Sequence, residues 1–209
     1  MTALGGTAID VAATLLLIRH AAHIHLDRKL SGRMPGVPLS DAGRVQAAAL
    51  GRYLAGAGLT AVECSPLDRT CETAAAIAGA AGLSPPKCVD LLVEIDMGDW
   101  TGREFGTFGD DPAWTAWNAA RGTARIPGGE TMAEAQARIA AHLDTIARER
   151  DGETIALVTH ADMIKAAVAH VLGLPLDNLL RFEIAPASVT RVVVGEWGAK
   201  LLSLNEKGH

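Results

Sequence analysis

The stretch Leu15-Leu16-Leu17-Ile18-Arg19-His20 decides how the chain is read. An apolar run of strand length stops at a cation and an imidazole, and the small pair Ala21-Ala22 follows. A strand buried on both faces of a parallel sheet reads as a continuous hydrophobic run, and ligands gather beyond the carboxyl ends of such strands. The fold class this implies is α/β, with Arg19 and His20 at the rim of the sheet. A guanidinium suits bidentate contact with phosphate or carboxylate, and an imidazole serves as base, nucleophile or metal ligand.

The same punctuation recurs along the chain. Thr154-Ile155-Ala156-Leu157-Val158-Thr159 is a second clear strand, and it too ends in a histidine, His160. Ala61-Val62-Glu63-Cys64 reads as a short strand leading into Ser65-Pro66-Leu67-Asp68-Arg69. There Ser65 is expected as N-cap, Pro66 at the first helical position and Asp68 at the third. Arg69 then lies in a first turn, where a cation opposes the helix dipole unless an anion is near. A weaker strand is expected at 89–93, just before Glu94.

Between these lie helical stretches. Ser40 caps one that begins at Ala42 and closes at Gly56 and Gly58. Thr131-Met132-Ala133-Glu134 is a capping box opening a helix to about Arg150, and 162–172 is a helix stopped by Gly173 and Pro175. Segments 180–184, 189–195 and 199–204 read as strands, the last two as a hairpin. Residues 21–39 form a long loop with Gly32, Pro35, Gly36 and Pro38; it carries His23, His25, Arg28 and Arg33, so a functional loop is expected. Residues 103–129, poor in pattern but holding Trp114 and Trp117, read as an inserted lid. Residues 1–12 read as a loose extension of what is otherwise one domain across the 209 residues.

Composition narrows the class. Hydrophobic residues make up 49% and charged residues 21%, the usual balance of a soluble α/β protein. A formal net charge of −5 argues against nucleic acid as a partner, since that wants a basic face. No apolar run is long enough to span a membrane, and no basic stretch precedes Arg19 as a signal peptide requires. Cys64, Cys71 and Cys88 are odd in number and form no C-x-x-C pair, so a reducing, cytoplasmic compartment is expected and Cys64 reads as a buried small hydrophobe. His142 and His170, inside helices, read as structural.

The groups just past strand ends are Arg19, His20, Arg69, Glu94 and His160. Phosphoryl transfer spreads negative charge over oxygens, and arginines can stabilise that charge without a metal. A neutral imidazole can attack phosphorus, and a carboxyl group can protonate the leaving oxygen and then deprotonate water. His20, His23 and His25, with Asp27 available as a further ligand, could suggest a metal site, but alternating histidines in a loop are more often solvated or face the substrate; no metal and no cofactor are expected.

Leu17-Ile18-Arg19-His20-Ala21 resembles the Arg-His-Gly signature of the histidine phosphatase superfamily, also called phosphoglycerate mutase-like. Further matches follow in order: Ser31-Gly32-Arg33, Pro38-Leu39-Ser40 with Gly43, Ser65 to Thr70 with Thr73-Ala74, Leu92 and Glu94 with Gly98 to Gly102, Pro127 to Thr131, and Val158-Thr159-His160. The resemblance implies a three-layer α/β/α sandwich with a mostly parallel, six-stranded sheet and one antiparallel strand. It implies His20 as the phosphorylated nucleophile, Arg19, Arg69 and His160 as the phosphate pocket, and Glu94 as proton donor. Ser31 and Gly32 match positions that line the substrate pocket, and Ala161 stands where relatives have Gly at its lip. Ala21 also replaces Gly, and the Asn that often contacts phosphate is absent. Arg33 is a candidate for the far end of the substrate.

The activity expected is a metal-independent phosphatase acting on a small phosphorylated metabolite. A phosphoglycerate mutase is the main alternative, and a non-catalytic module that binds a phosphorylated partner is the other. Exposed lid tryptophans would be compatible with a homodimer.

Overall fold

The computed structural model describes residues 12–207, so the expected N-terminal extension lies almost wholly outside the described residues. Six strands form one sheet: β1 Ala13–Arg19, β2 Ala61–Cys64, β3 Lys87–Cys88, β4 Thr154–Thr159, β5 Ser188–Gly195 and β6 Gly198–Lys207, in the order β3-β2-β4-β1-β5-β6. β1 pairs with β4 in parallel, as β2 does with β4 and with β3; β5 runs antiparallel to β1, and β6 antiparallel to β5. Five strands therefore point one way and β5 the other. The sheet is mostly parallel, in line with the expectation.

The apolar run of β1 divides between two layers because successive side chains point to opposite faces. Leu16 and Ile18 pack with α1 Asp41–Leu54 and α2 Asp68–Ala81, through Leu50, Leu54, Ala74 and Ile77. Leu15 and Leu17 pack on the other side with α4 Met132–Glu149 and α5 Ala161–Leu172, through Ile139, Leu143, Ile164 and Val168. All four β1 side chains are inaccessible to solvent. β2 follows the same alternation: Val62 and Cys64 face α2, whereas Glu63 faces α4 and meets His142 Nε2 at 2.8 Å and Arg150 at 3.3 Å. His142 is thus a structural partner of a buried carboxylate.

Local chemistry sets the helix ends. Ser40 accepts a bond from the Gly43 amide, and Thr131 with Glu134 forms a complete capping box. Gly43 sits against the loop after His20, where a Cβ would drive into the Ala22 carbonyl that Ser40 also binds. Gly43→Ala is therefore expected to cost about 1–3 kcal/mol, the range for overpacking a tight contact. A chemical-denaturation midpoint measures this, and an unchanged midpoint would show that the two segments can separate freely.

Three expected elements differ. α2 begins at Asp68, not in the Ser65-Pro66 turn; the Ser65 hydroxyl is engaged by His160 Nε2, and Leu67 precedes the helix without a side-chain cap. Residues 89–93 are not a strand: β3 is only Lys87–Cys88, and a 3₁₀ turn Asp90–Leu92 follows. Arg138 takes the carbonyls of Leu91 and Val93 at 3.0 and 2.8 Å, which diverts them from any sheet ladder. The 180–184 strand is largely replaced by a 3₁₀ turn, Leu176–Arg181, that follows Pro175 and buries Leu179. Residues 103–129 contribute no strand; they carry a 3₁₀ turn Phe105–Thr107 and α3 Pro112–Ala119. Trp114 and Trp117 pack on Trp100 at ring distances of 5.2 and 5.7 Å, so Trp117 is buried rather than exposed on a lid. No helix among the described residues is long and apolar enough to cross a membrane.

Candidate active site

β1 and β4 are neighbours whose following helices go to opposite faces of the sheet, α1 to one and α5 to the other. A crevice opens at such a point beyond the carboxyl ends of the strands. The parallel register sets Arg19 opposite Thr159, and the His20 amide donates to the Thr159 carbonyl at 3.0 Å. The next residues, His20 and His160, therefore stand side by side with ring centroids 5.2 Å apart. Arg69 enters from the first turn of α2 and Glu94 from the segment after β3. Arg19, His20, Arg69 and Glu94 line one cavity of about 310 Å³. His160 lies fully buried against it, its Nδ1 3.3 Å from Arg69 and 3.7 Å from a Glu94 oxygen.

Hydrogen bonding selects the tautomer of His20. Its Nδ1 lies 2.8 Å from the Ala21 carbonyl, an acceptor only, so Nδ1 carries the proton and Nε2 keeps its lone pair. Burial, then the positive charges of Arg69 and Arg19, hold His20 well below the ordinary histidine range, which keeps the ring neutral. His160 is held neutral by burial, Arg69 and His20. Arg69 can only donate to its Nδ1, so the proton sits on Nε2 and is given to Ser65 Oγ at 2.9 Å. Glu94 moves the other way: burial, then the charge of Asp162, push its carboxyl up to about 7 despite Arg69. A neutral imidazole beside a protonated carboxyl is the pairing a nucleophile and a general acid require.

Each cation is anchored through one terminal nitrogen and keeps donors without a partner. Arg19 uses one terminal nitrogen on the Ile184 carbonyl at 2.7 Å, and Arg69 uses one on the Gly32 carbonyl at 2.7 Å. Arg19 Nε, Arg69 Nε, Arg69 Nη1 and Ser31 Oγ are buried without a partner among the described residues. Buried guanidinium donors without acceptors are costly, and a tetrahedral oxyanion would satisfy several at once. Ala161 and Asp162, the first residues of α5, add a helix N-terminus to the wall.

Ser31, Gly32 and Ala161 line the cavity. Arg33 does not. Its Nε binds the Glu94 carbonyl at 2.8 Å, and its terminal nitrogens meet Glu130 at 2.8 Å and Asp96 at 3.6 Å. Surrounded by acidic and carbonyl groups, it braces the main chain that carries Glu94 and is not free to hold the far end of a substrate. Glu130 also accepts from the Asp96 amide and from Arg138, joining this segment to α4. The glycines of the 98–102 and 127–131 motifs serve the same brace: a Cβ on Gly98 would strike the Pro127 carbonyl, and one on Gly129 the Asp96 carbonyl.

Sequence reasoning missed several wall residues. Asp162 tunes Glu94 and pairs with Arg121 at 3.1 Å; Arg121 also lies 3.8 Å over the Trp117 ring. His23 belongs to the loop expected to be functional; its ring is 5.3 Å from His20, and it lines the cavity and is pushed down to about 4 by burial and the two arginines. Asp162 could have been suspected from its place two residues past a strand-end histidine. Nothing local marks Arg121, which comes from the weakly patterned 103–129 segment.

The model of the histidine phosphatase superfamily (branch 1) matches residues 15–207. The chain belongs to the histidine phosphatase superfamily. Within it, the chain is 29% identical over 202 residues to phosphoserine phosphatase 1 of Hydrogenobacter thermophilus, covering 93% of each protein. It is 30% identical over 179 residues to a probable phosphoglycerate mutase, GpmB, of Salmonella paratyphi B, covering 84% of this chain and 82% of that one. The structure of Bacillus stearothermophilus YhfR superimposes with a TM-score of 0.87 at 29% identity, over 93% of this chain and 98% of that one. In this superfamily member the ordered motifs divide in two: Arg19, His20, Ser31, Gly32, Arg69 and Glu94 reach the cavity, whereas Gly43, Gly98, Trp100 and Gly129 hold the segments that carry them.

Proposed function

We propose that the protein is a metal-independent phosphatase that hydrolyses a small phosphomonoester through a phosphohistidine on His20. The observation that carries this reading is the set of unengaged guanidinium and hydroxyl donors of Arg19, Arg69 and Ser31 around a neutral imidazole. The phosphoryl oxygens take those donors. His20 Nε2 forms a bond to phosphorus as the ester P–O bond breaks, and the leaving oxygen receives the Glu94 proton. The resulting Glu94 carboxylate takes a proton from water, whose oxygen attacks phosphorus; the P–N bond breaks, and His20 and phosphate are released. A relative named as a phosphoserine phosphatase supports the hydrolytic outcome. The rest of the substrate would meet Phe105, Trp114, Lys29 and Arg121, a wall partly aromatic and partly cationic.

The test is hydrolysis of p-nitrophenyl phosphate in excess EDTA, with acid-labile phosphate trapped on the protein after rapid quenching. Turnover that persists in EDTA, with label on His20, is expected. Turnover abolished by EDTA, or a phosphoenzyme on another residue, would overturn the mechanism. A parallel assay with 3-phosphoglycerate separates hydrolysis from transfer: release of inorganic phosphate is expected, and isomerisation without release would assign a mutase instead.

A further inference from the structure

Away from the cavity, three cysteines converge that the chemistry above does not use. Cys64 ends β2, Cys88 ends β3, and the two are register partners in adjacent parallel strands. Cys71 reaches them from the first turns of α2, which packs on that face. Cys64 Sγ and Cys71 Sγ are 3.9 Å apart, Cys71 Sγ and Cys88 Sγ 4.0 Å, and all three sulfurs lie within 4.8 Å of one another. They are the only three His, Cys, Asp or Glu side chains among the described residues whose ligand atoms converge in this way.

We propose that Cys64, Cys71 and Cys88 form a binding site for a soft d10 cation of the Zn²⁺ or Cu⁺ type. The spacing carries the proposal. Three sulfurs each about 2.3 Å from one ion stand about 3.8 Å apart in a tetrahedral arrangement and about 4.0 Å apart in a trigonal one. The two closest pairs fall on those values, at roughly twice the about 2.05 Å of a disulfide. Thiolate is the donor that selects soft cations over the hard ones carboxylates hold. Exposure grades across the cluster: Cys64 is buried, Cys71 half-buried and Cys88 exposed, so an ion has an inner anchor and an entry path, with solvent at any fourth vertex. When no cation is present, burial and the sulfurs of Cys71 and Cys88 oppose ionisation of Cys64, and burial and the Cys88 sulfur oppose that of Cys71. Each thiol releases its proton to solvent as its sulfur–metal bond forms, so loading one ion frees three protons.

The site backs onto the active-site loop. Cys64 precedes Ser65, which bonds His160, and Cys71 Sγ contacts the Ser65 carbonyl at 3.5 Å. Its existence does not depend on the catalytic reading.

The experiment is titration of the reduced full-length protein with Cd²⁺, and separately with Zn²⁺ against a chromophoric chelator. The expected result is one Cd²⁺ per chain, an ultraviolet sulfur-to-cadmium charge-transfer band, and protection of the accessible Cys71 and Cys88 thiols from Ellman's reagent. Cys88→Ser, on an exposed edge strand, and Cys71→Ser should each weaken binding at least about 100-fold, beyond what loss of an outer-shell partner costs. Circular dichroism and thermal melting of both variants establish that they are folded. Binding that survives both substitutions, or a reduced wild-type protein that takes up neither ion at micromolar concentration, would overturn the proposal.

Discussion

Replacing His20 by alanine is expected to reduce turnover of any phosphomonoester by on the order of 10⁴-fold or more, the scale of removing a covalent nucleophile. The ring is held in one tautomer by the Ala21 carbonyl and kept neutral by burial and the charges of Arg69 and Arg19. His160 is the nearest imidazole, but its Nδ1 faces Arg69 and its Nε2 proton is committed to Ser65. Affinity for phosphate or vanadate should change far less, because Arg19, Arg69 and Ser31 remain in place. Isothermal titration with vanadate alongside single-turnover kinetics distinguishes a lost nucleophile from a collapsed pocket. Substantial turnover by His20→Ala would remove His20 from the covalent role.

Glu94→Gln is expected to slow phosphoenzyme formation from alkyl phosphates by about 10²–10⁴-fold while slowing p-nitrophenyl phosphate much less. Gln matches the shape and charge of the protonated carboxyl and differs in having no proton to give. An aryl oxide leaves readily unprotonated, whereas an alkoxide does not. The pH dependence has a definite sign. Burial and Asp162 raise the Glu94 carboxyl to about 7, so the acid form is present below that pH and is lost as pH rises through it. Wild-type turnover of alkyl phosphates should therefore fall above about pH 7, approaching tenfold per unit, and Glu94→Gln should lack that limb. Pre-steady-state bursts across pH measure the first step directly. Equal losses for aryl and alkyl esters would exclude Glu94 as the acid.

Much of this was legible along the chain. Apolar runs ending in Arg19-His20 and Thr159-His160 announced buried parallel strands with polar residues at their carboxyl ends, and Ser40 and Thr131 announced the helix starts that the structure shows. Errors fell where side chains from distant elements compete with local preference. Ser65 reads as an N-cap until its hydroxyl oxygen accepts from His160, and 89–93 reads as a strand until Arg138 takes its carbonyls. Arg33 reads as a free cation until Glu130, Asp96 and the Glu94 carbonyl surround it.

By itself the sequence determined the fold class, the strand-end positions of His20 and His160, and the types of group gathered there. These depend on periodicity and on residue chemistry, which are local properties. Only the tertiary structure decided that parallel register sets the two histidines side by side, and that the charge of Asp162 falls on Glu94. It alone turned Cys64, Cys71 and Cys88, spaced without any metal-binding motif, into one cluster of sulfurs. Distances between residues far apart in the chain arise from packing two helical layers on a sheet, and the free energies that set register and pKa values depend on those distances.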